Sequence, residues 1–148
     1  MDIVVIEDDY LQIEPIKAGL RQHFGEETTI EIIRSEWDFY TWLGRQHSSE
    51  CLPDVVVMDM MVWRYRGREG ISSKANKEKY AGLRCRRHLH KKKLTKHIPV
   101  VFFSVLRPSE LRSRAKLETP LTKFVSKRDS MTSLYETIEL LLCAKHTA

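Results

Sequence analysis

Short apolar runs punctuate this chain, and each is followed by a stretch with helical spacing. Residues 3–6 read IVVI between acids, with no period of 3.6, as expected of a strand covered on both faces. Leu11, Ile13, Ile16, Leu20 and Phe24 then predict a helix over 10–24. Pro15 belongs in its first two turns, and Gly25 is its stop. Residues 28–33, TTIEII, are rich in β-branched side chains and read as a second strand. Ser35 with Asp38 three residues on predicts a capped helix carrying Phe39, Trp42 and Leu43. Pro53 introduces a third strand, VVVM, which ends at Asp59, and Pro99 introduces a fourth, VVFFSVL. Between them, Tyr80, Leu83, Leu89 and Leu94 restore helical spacing. A weak polar helix over 109–117, a fifth strand over 123–126 and a last helix complete the pattern. That helix opens at Ser130 and carries Leu134, Ile138, Leu141 and Leu142. Five strands, each followed by a helix, predict an α/β domain: a parallel sheet, helices on both faces, right-handed crossovers.

Residues 62–79 break this rhythm. Gly67, Gly70, Ser72, Ser73 and Asn76 sit among Arg and Lys with almost no aliphatic periodicity, so a long loop is expected. Charge concentrates there too. Residues 62–97 carry 13 Lys and Arg against Glu69 and Glu78, a net of +11, while the rest of the chain sums to −6. The chain therefore reads as an acidic domain with a basic insert, suited to phosphates or an acidic partner, or to a solvated loop and helix face.

At 148 residues there is room for one domain. Contents of 42% hydrophobic and 30% charged exclude a disordered chain. No run approaches the roughly 18 apolar residues of a membrane span. The start, MDIVVIEDD, has acids where a secretory signal needs bases. Cys51, Cys85 and Cys143 are too scattered for a disulfide framework, so a reducing cytoplasm is expected.

Chemistry in an open parallel sheet gathers beyond the carboxyl ends of the strands. There this sequence places Glu7, Asp8 and Asp9, then Asp59, Ser104 and Lys127. Clustered carboxylates favour a hard divalent cation such as Mg²⁺. A carboxylate beside that cation and an ammonium can accept a phosphoryl group. Helix capping by Asp8 and Asp9, a satisfied strand-end hydroxyl at Ser104 and an exposed turn lysine at Lys127 are the plainer alternatives.

The segments VVIEDDY, PDVVVMDMM, IPVVFFSV and KFVSK fall in this order along essentially the whole chain. In this the sequence resembles the receiver domains of two-component response regulators, the CheY-like group of flavodoxin-like folds. The resemblance implies a five-stranded parallel sheet of order 2-1-3-4-5. It implies Asp59 as phosphoacceptor. Mg²⁺ would be held by Asp8 directly, by Glu7 through water, by Asp59, and by the backbone carbonyl of Met61. Ser104 and Lys127 would stabilise the phosphoryl group. Ser104 would move inward on activation, with Phe124 following as the switch aromatic, and Asp9 would be an outer carboxylate. The implied partners are a sensor histidine kinase or phosphotransfer protein and a downstream protein, with homodimerisation possible. The chain would not be an enzyme beyond its own phosphorylation and dephosphorylation.

Four features depart from that family. A long basic segment follows Met61, and the small-residue turn resumes only at Ala81-Gly82-Leu83. Val105 stands where the family prefers Ala or Gly and would narrow phosphoryl access. Arg128 replaces the proline after Lys127; a cis bond there would cost about 3 kcal/mol, so trans geometry or a strained turn is expected. Residues 144–148 read as a tail, so a single domain without an output module is expected. Trp63, Arg64, Arg66, Arg68, Arg84 and Arg87 are the candidate partner-binding residues. Two further functions stay open: a receiver-shaped binding module that ignores phosphorylation, and a nucleic-acid-associated regulator using 62–97. Nucleic acid is the less favoured partner because no groove-reading motif accompanies the bases. Cys85, His88 and His90 do not match a zinc spacing.

Overall fold

The computed structural model describes residues 1–64, 77–78, 80–106 and 118–147. Along the chain run β1 (Asp2–Ile6), α1 (Tyr10–Phe24), β2 (Thr29–Ile33), α2 (Glu36–Gly44) and a single 3₁₀ turn (Ser49–Cys51). They are followed by β3 (Val55–Met58), β4 (Val62–Trp63), β5 (Lys77–Glu78), α3 (Ala81–Lys91), β6 (Val100–Ser104), β7 (Thr122–Ser126) and α4 (Met131–Thr147). Five strands form one parallel sheet in the order β2-β1-β3-β6-β7. This is the expected 2-1-3-4-5 order once β4 and β5, which pair only with each other, are set aside.

The apolar runs are buried on both faces because each strand alternates between two cores. Val4 and Ile6, Val56 and Met58, and Val100 and Phe102 face the α2–α3 side, with Phe39, Trp42, Cys85 and Leu89. Ile3 and Val5, Val55 and Val57, and Val101 and Phe103 face the α1–α4 side, with Ile16, Leu20, Leu134 and Ile138.

The helix ends follow the sequence signals. Asp9 caps α1 by accepting from Leu11 N at 3.0 Å, and Ser35 caps α2 by accepting from Asp38 N at 3.0 Å. Gly25 ends α1 with φ of 108°, a conformation open to glycine, and donates to Arg21 O at 2.8 Å.

Two expectations change. The segment over 62–79 is not loop at its two ends: Val62 pairs with Glu78 and Trp63 with Lys77 in a short antiparallel ribbon. Val62 is fully buried in the α2–α3 core, and that anchors the base of the excursion. Residues 65–76 and the proposed helix over 109–117 lie outside the described residues. The helix carrying Leu83 and Leu89 stops at Lys91 and does not include Leu94. Lys92 turns to extended backbone, and its ammonium donates to the carbonyls of Leu43 and Gln46, each at 2.9 Å.

Candidate functional site

The sheet ladder runs one residue beyond the named strands, and this fixes the rim. Glu7 N donates to Ile33 O at 3.0 Å, Asp59 N to Ile6 O at 2.9 Å, and Lys127 N to Ser104 O at 2.9 Å. Four neighbouring strands therefore deliver Glu7, Asp59, Ser104 and Lys127 to one edge with their backbones locked. Glu7 is 2% exposed, Asp8 7%, Asp59 6% and Ser104 0%, and Lys127 is half-buried with its side chain turned inward.

Asp59 is the centre of this cluster. Its Oδ1 accepts from Ser104 Oγ at 2.7 Å and from Met61 N at 3.0 Å, and its Oδ2 accepts from Lys127 Nζ at 2.7 Å. The same ammonium donates to Glu7 Oε2. Glu7 Oε1 accepts from Asp9 N at 3.0 Å, and Asp8 Oδ2 accepts from Trp63 N at 3.1 Å. Two buried carboxylates, Glu7 and Asp59, thus share one ammonium, and Asp8 lies next to Glu7 along the chain with its own backbone donor. Burial pushes the Glu7 carboxyl above the usual glutamate range; Lys127 pulls it down and Asp59 pushes it up again. Burial works against the Lys127 charge, but Asp59 and Glu7 outweigh it and raise the ammonium above the usual lysine range.

The donor set fits a hard divalent cation. Glu7, Asp8, Asp59 and the Met61 carbonyl offer oxygen only, and the carboxylates outnumber the cation beside them. Among the described residues no three His, Cys, Asp or Glu side chains stand together as a ready-made cage. Here the Lys127 ammonium holds Glu7 and Asp59 together instead.

Asp9 is the α1 cap; its second oxygen accepts from Gln12 Nε2 at 3.1 Å. Ser104 Oγ already lies within hydrogen-bond distance of the expected acceptor. Phe124 is half-buried and packs against the α2–α3 core, paired across the sheet with Phe102. Val105 is 44% exposed. Every described peptide bond is trans, including Lys127–Arg128, so the missing proline leaves the lysine in place.

The partner-binding group divides. Arg84 does not belong in it: its guanidinium grips buried Glu36 with both forks, Nε to Oε1 at 2.7 Å and Nη2 to Oε2 at 2.6 Å. Burial opposes the Glu36 charge, yet the Arg84 and Tyr40 hydrogen bonds win and hold its carboxyl below the usual range. Trp63 is half-buried, Arg64 and Arg87 are exposed, and Arg66 and Arg68 lie outside the described residues. Gly82 is a site residue by position: its N donates to Met60 O at 3.0 Å. A Cβ there would lie 2.4 Å from the Asp59 carbonyl oxygen. The sequence marked Ala81-Gly82-Leu83 as a small-residue turn but could not show what it lies against.

Solved structures share this architecture across nearly the whole chain. One is the N-terminal domain of a response regulator/sensory box/GGDEF three-domain protein from Carboxydothermus hydrogenoformans. It matches with a TM-score of 0.66 at 19% identity, covering 99% of this chain and 98% of that one. This chain has the receiver-domain fold. A second match is the receiver domain of a sensor histidine kinase from Pseudomonas aeruginosa PAO1, with a magnesium ion coordinated in its active-site cleft. Its TM-score is 0.63 at 12% identity, covering 95% of this chain and 96% of that one. A third is the Mn(2+)-bound form of the response regulator Rcp1, with a TM-score of 0.62 at 16% identity, covering 93% and 88%. No family model matches the sequence, and no curated protein matches it. Among the described residues no helix is long and apolar enough to cross a membrane.

Proposed function

We propose that this receiver fold accepts a phosphoryl group on Asp59 and signals through changed protein contacts, as a phosphoacceptor rather than an enzyme with an external substrate. One observation carries the reading: the buried Asp59 carboxylate is oriented by a hydroxyl, an ammonium and a backbone N–H from three different strand ends. A carboxylate has about four acceptor sites, so these three donors leave a lone pair for attack. In transfer from a phosphohistidine, an Asp59 oxygen forms a bond to phosphorus. The phosphorus–nitrogen bond breaks, and the imidazole leaves with that electron pair. Ser104 and Lys127 then have a phosphoryl oxygen to donate to in place of the carboxylate, which holds the new group without a large rearrangement. Asp8, Asp59 and the Met61 carbonyl, with Glu7 through water, would hold Mg²⁺. When bound, it would neutralise charge on the transferring group. A sensor histidine kinase or phosphotransfer protein in the cytoplasm is the proposed donor, and a downstream protein or a second copy the recipient of the signal.

The test is intact mass after incubation with a small phosphodonor and Mg²⁺, wild type against Asp59→Asn. One added phosphoryl group in the wild type alone is expected. A second reading, a binding module blind to phosphorylation, has one observation on its side: Glu7, Asp8 and Asp59 already have donors of their own in Lys127 and Trp63 N. No mass gain, together with no Mg²⁺ response in stability, would establish that reading instead.

A further inference from the structure

We infer that the outer face of α3 and the turn after it bind single-stranded nucleic acid through its phosphate backbone, independently of Asp59 chemistry. Residues 79–109 contain no acid at all. The structure sorts the bases of this stretch into two groups. Arg84 is held by Glu36, and Lys92 serves the end of α2, so both belong to the fold. Arg87, Lys91, Lys93 and Lys96 are exposed, and among the described residues none of their side chains has an ion pair or hydrogen-bond partner. Arg87 and Lys91 follow one another at i, i+4 on the helix face opposite buried Cys85 and Leu89, and Lys93 and Lys96 are exposed on the turn that follows the helix.

Like charges held this close repel, and burial and the neighbouring Arg87 charge hold Arg86 below the usual arginine range. A row of cations without counter-charges is the footprint of a polyanion. The choice between polyanions rests on residue type and on the adjoining surface. Lysine is depleted in protein–protein interfaces, whereas a phosphate backbone takes lysine as a point charge. The row also continues into aromatic surface. His88 lies edge-on to Tyr40 with ring centroids 4.9 Å apart. Trp37, Tyr40, Arg64 and the paired Glu36 and Arg84 line one open cleft of about 210 Å³. Trp37 is 59% exposed there, a face on which an unpaired base can stack whatever its sequence.

The experiment is fluorescence anisotropy of a labelled mixed-sequence 20-nucleotide DNA strand, titrated with the whole protein across salt concentrations. At roughly 0.7 per neutralised phosphate, four cations give a slope of log affinity against log salt of about −3. Replacing Arg87, Lys91, Lys93 and Lys96 by Gln should abolish binding with the folded circular dichroism spectrum retained, since among the described residues none of the four side chains has a partner. Trp37→Ala should weaken the single strand by about fivefold or more and leave a duplex of the same sequence unaffected. Absence of binding at low salt, a slope near zero, or equal affinity for poly-glutamate would overturn the inference, the last pointing to an acidic protein. A duplex bound more tightly than the single strand and indifferent to Trp37→Ala would overturn the stacking. These outcomes are read without phosphodonor, so they stand apart from the Asp59 test.

Discussion

Gly82 and Gly44 both lie in helices, and the same substitution should act on them in opposite directions. Gly44 ends α2 with no heavy atom within 4 Å of where a Cβ would stand. Gly44→Ala therefore restricts the unfolded chain and meets nothing in the folded one, which should stabilise by about 0.5–1 kcal/mol. Gly82 lies in the first turn of α3, against the strand end that carries Asp59. A Cβ there would be 2.4 Å from the Asp59 carbonyl oxygen and 2.8 Å from Met60 Cα. Both are backbone atoms locked into the sheet edge, so neither can swing aside as a flexible side chain would. Side-chain carbons essentially never approach closer than 3.0 Å, so helix and loop must part by at least about 0.6 Å. Overpacking of this kind costs about 1–3 kcal/mol, which exceeds the propensity gain of up to about 1 kcal/mol from leaving glycine. The net expectation for Gly82→Ala is a loss of up to about 2 kcal/mol, and a stability about 1–3 kcal/mol below that of Gly44→Ala. Urea denaturation of the two variants beside wild type gives both numbers. Because the displaced loop carries the acceptor and Met61 N, Gly82→Ala should also slow phosphoryl uptake by intact mass, while Gly44→Ala should not. Two variants within about 0.5 kcal/mol of each other, with equal uptake, would refute the close approach of α3 to Asp59.

Three other outcomes follow from the buried charges. Arg84→Met leaves Glu36 buried with Tyr40 as its remaining described side-chain donor and should cost about 2–3 kcal/mol at pH 7 in urea melts, below the figure for a fully buried pair because Arg84 is 34% exposed. Glu36 has a lowered carboxyl, so its contribution is present above the ordinary glutamate range and fades as pH falls through it; the wild-type advantage should shrink below about pH 4, and a pH-independent difference would contradict the pairing. Lys127→Gln leaves Glu7 and Asp59 without their shared cation and should cost about 3 kcal/mol at neutral pH, with partial recovery in acid as the raised Glu7 carboxyl protonates; because Lys127 is raised, its own contribution holds below the ordinary lysine range and goes only above it. Under native conditions at pH 8, iodoacetamide should label Cys51 and Cys143, which are exposed, and spare Cys85, whose thiol is fully buried and pushed far up by that burial; rapid loss of all three thiols by mass would contradict its place in the core.

Composition and local pattern were enough for the frame. IVVI, VVVM and VVFFS admit little else than strands covered on both faces, because no polar position interrupts them to meet water. Gly25, Asp9 and Ser35 act within three or four residues of themselves, so their end signals are local and legible. Glu7, Asp59, Ser104 and Lys127 were found for a related reason: a parallel sheet brings the residue after each strand to one rim, so sequence position alone predicts convergence.

What only the tertiary structure decided lies in contacts between distant residues that no periodicity encodes. Glu36 and Arg84 are 48 residues apart, and nothing in either segment names the other. The link from Trp63 N to Asp8 spans 55 residues and uses a backbone donor, which has no sequence signature. The ribbon at Val62–Trp63 is two residues long, too short for an alternation to register. Charge shows the limit most plainly. The sequence counted thirteen bases over 62–97 but could not tell Arg84, paired with Glu36, and Lys92, hydrogen-bonded to the end of α2, from Arg87 and Lys91, left facing water. Composition fixes how much charge a chain carries; packing selects which charges are answered within it.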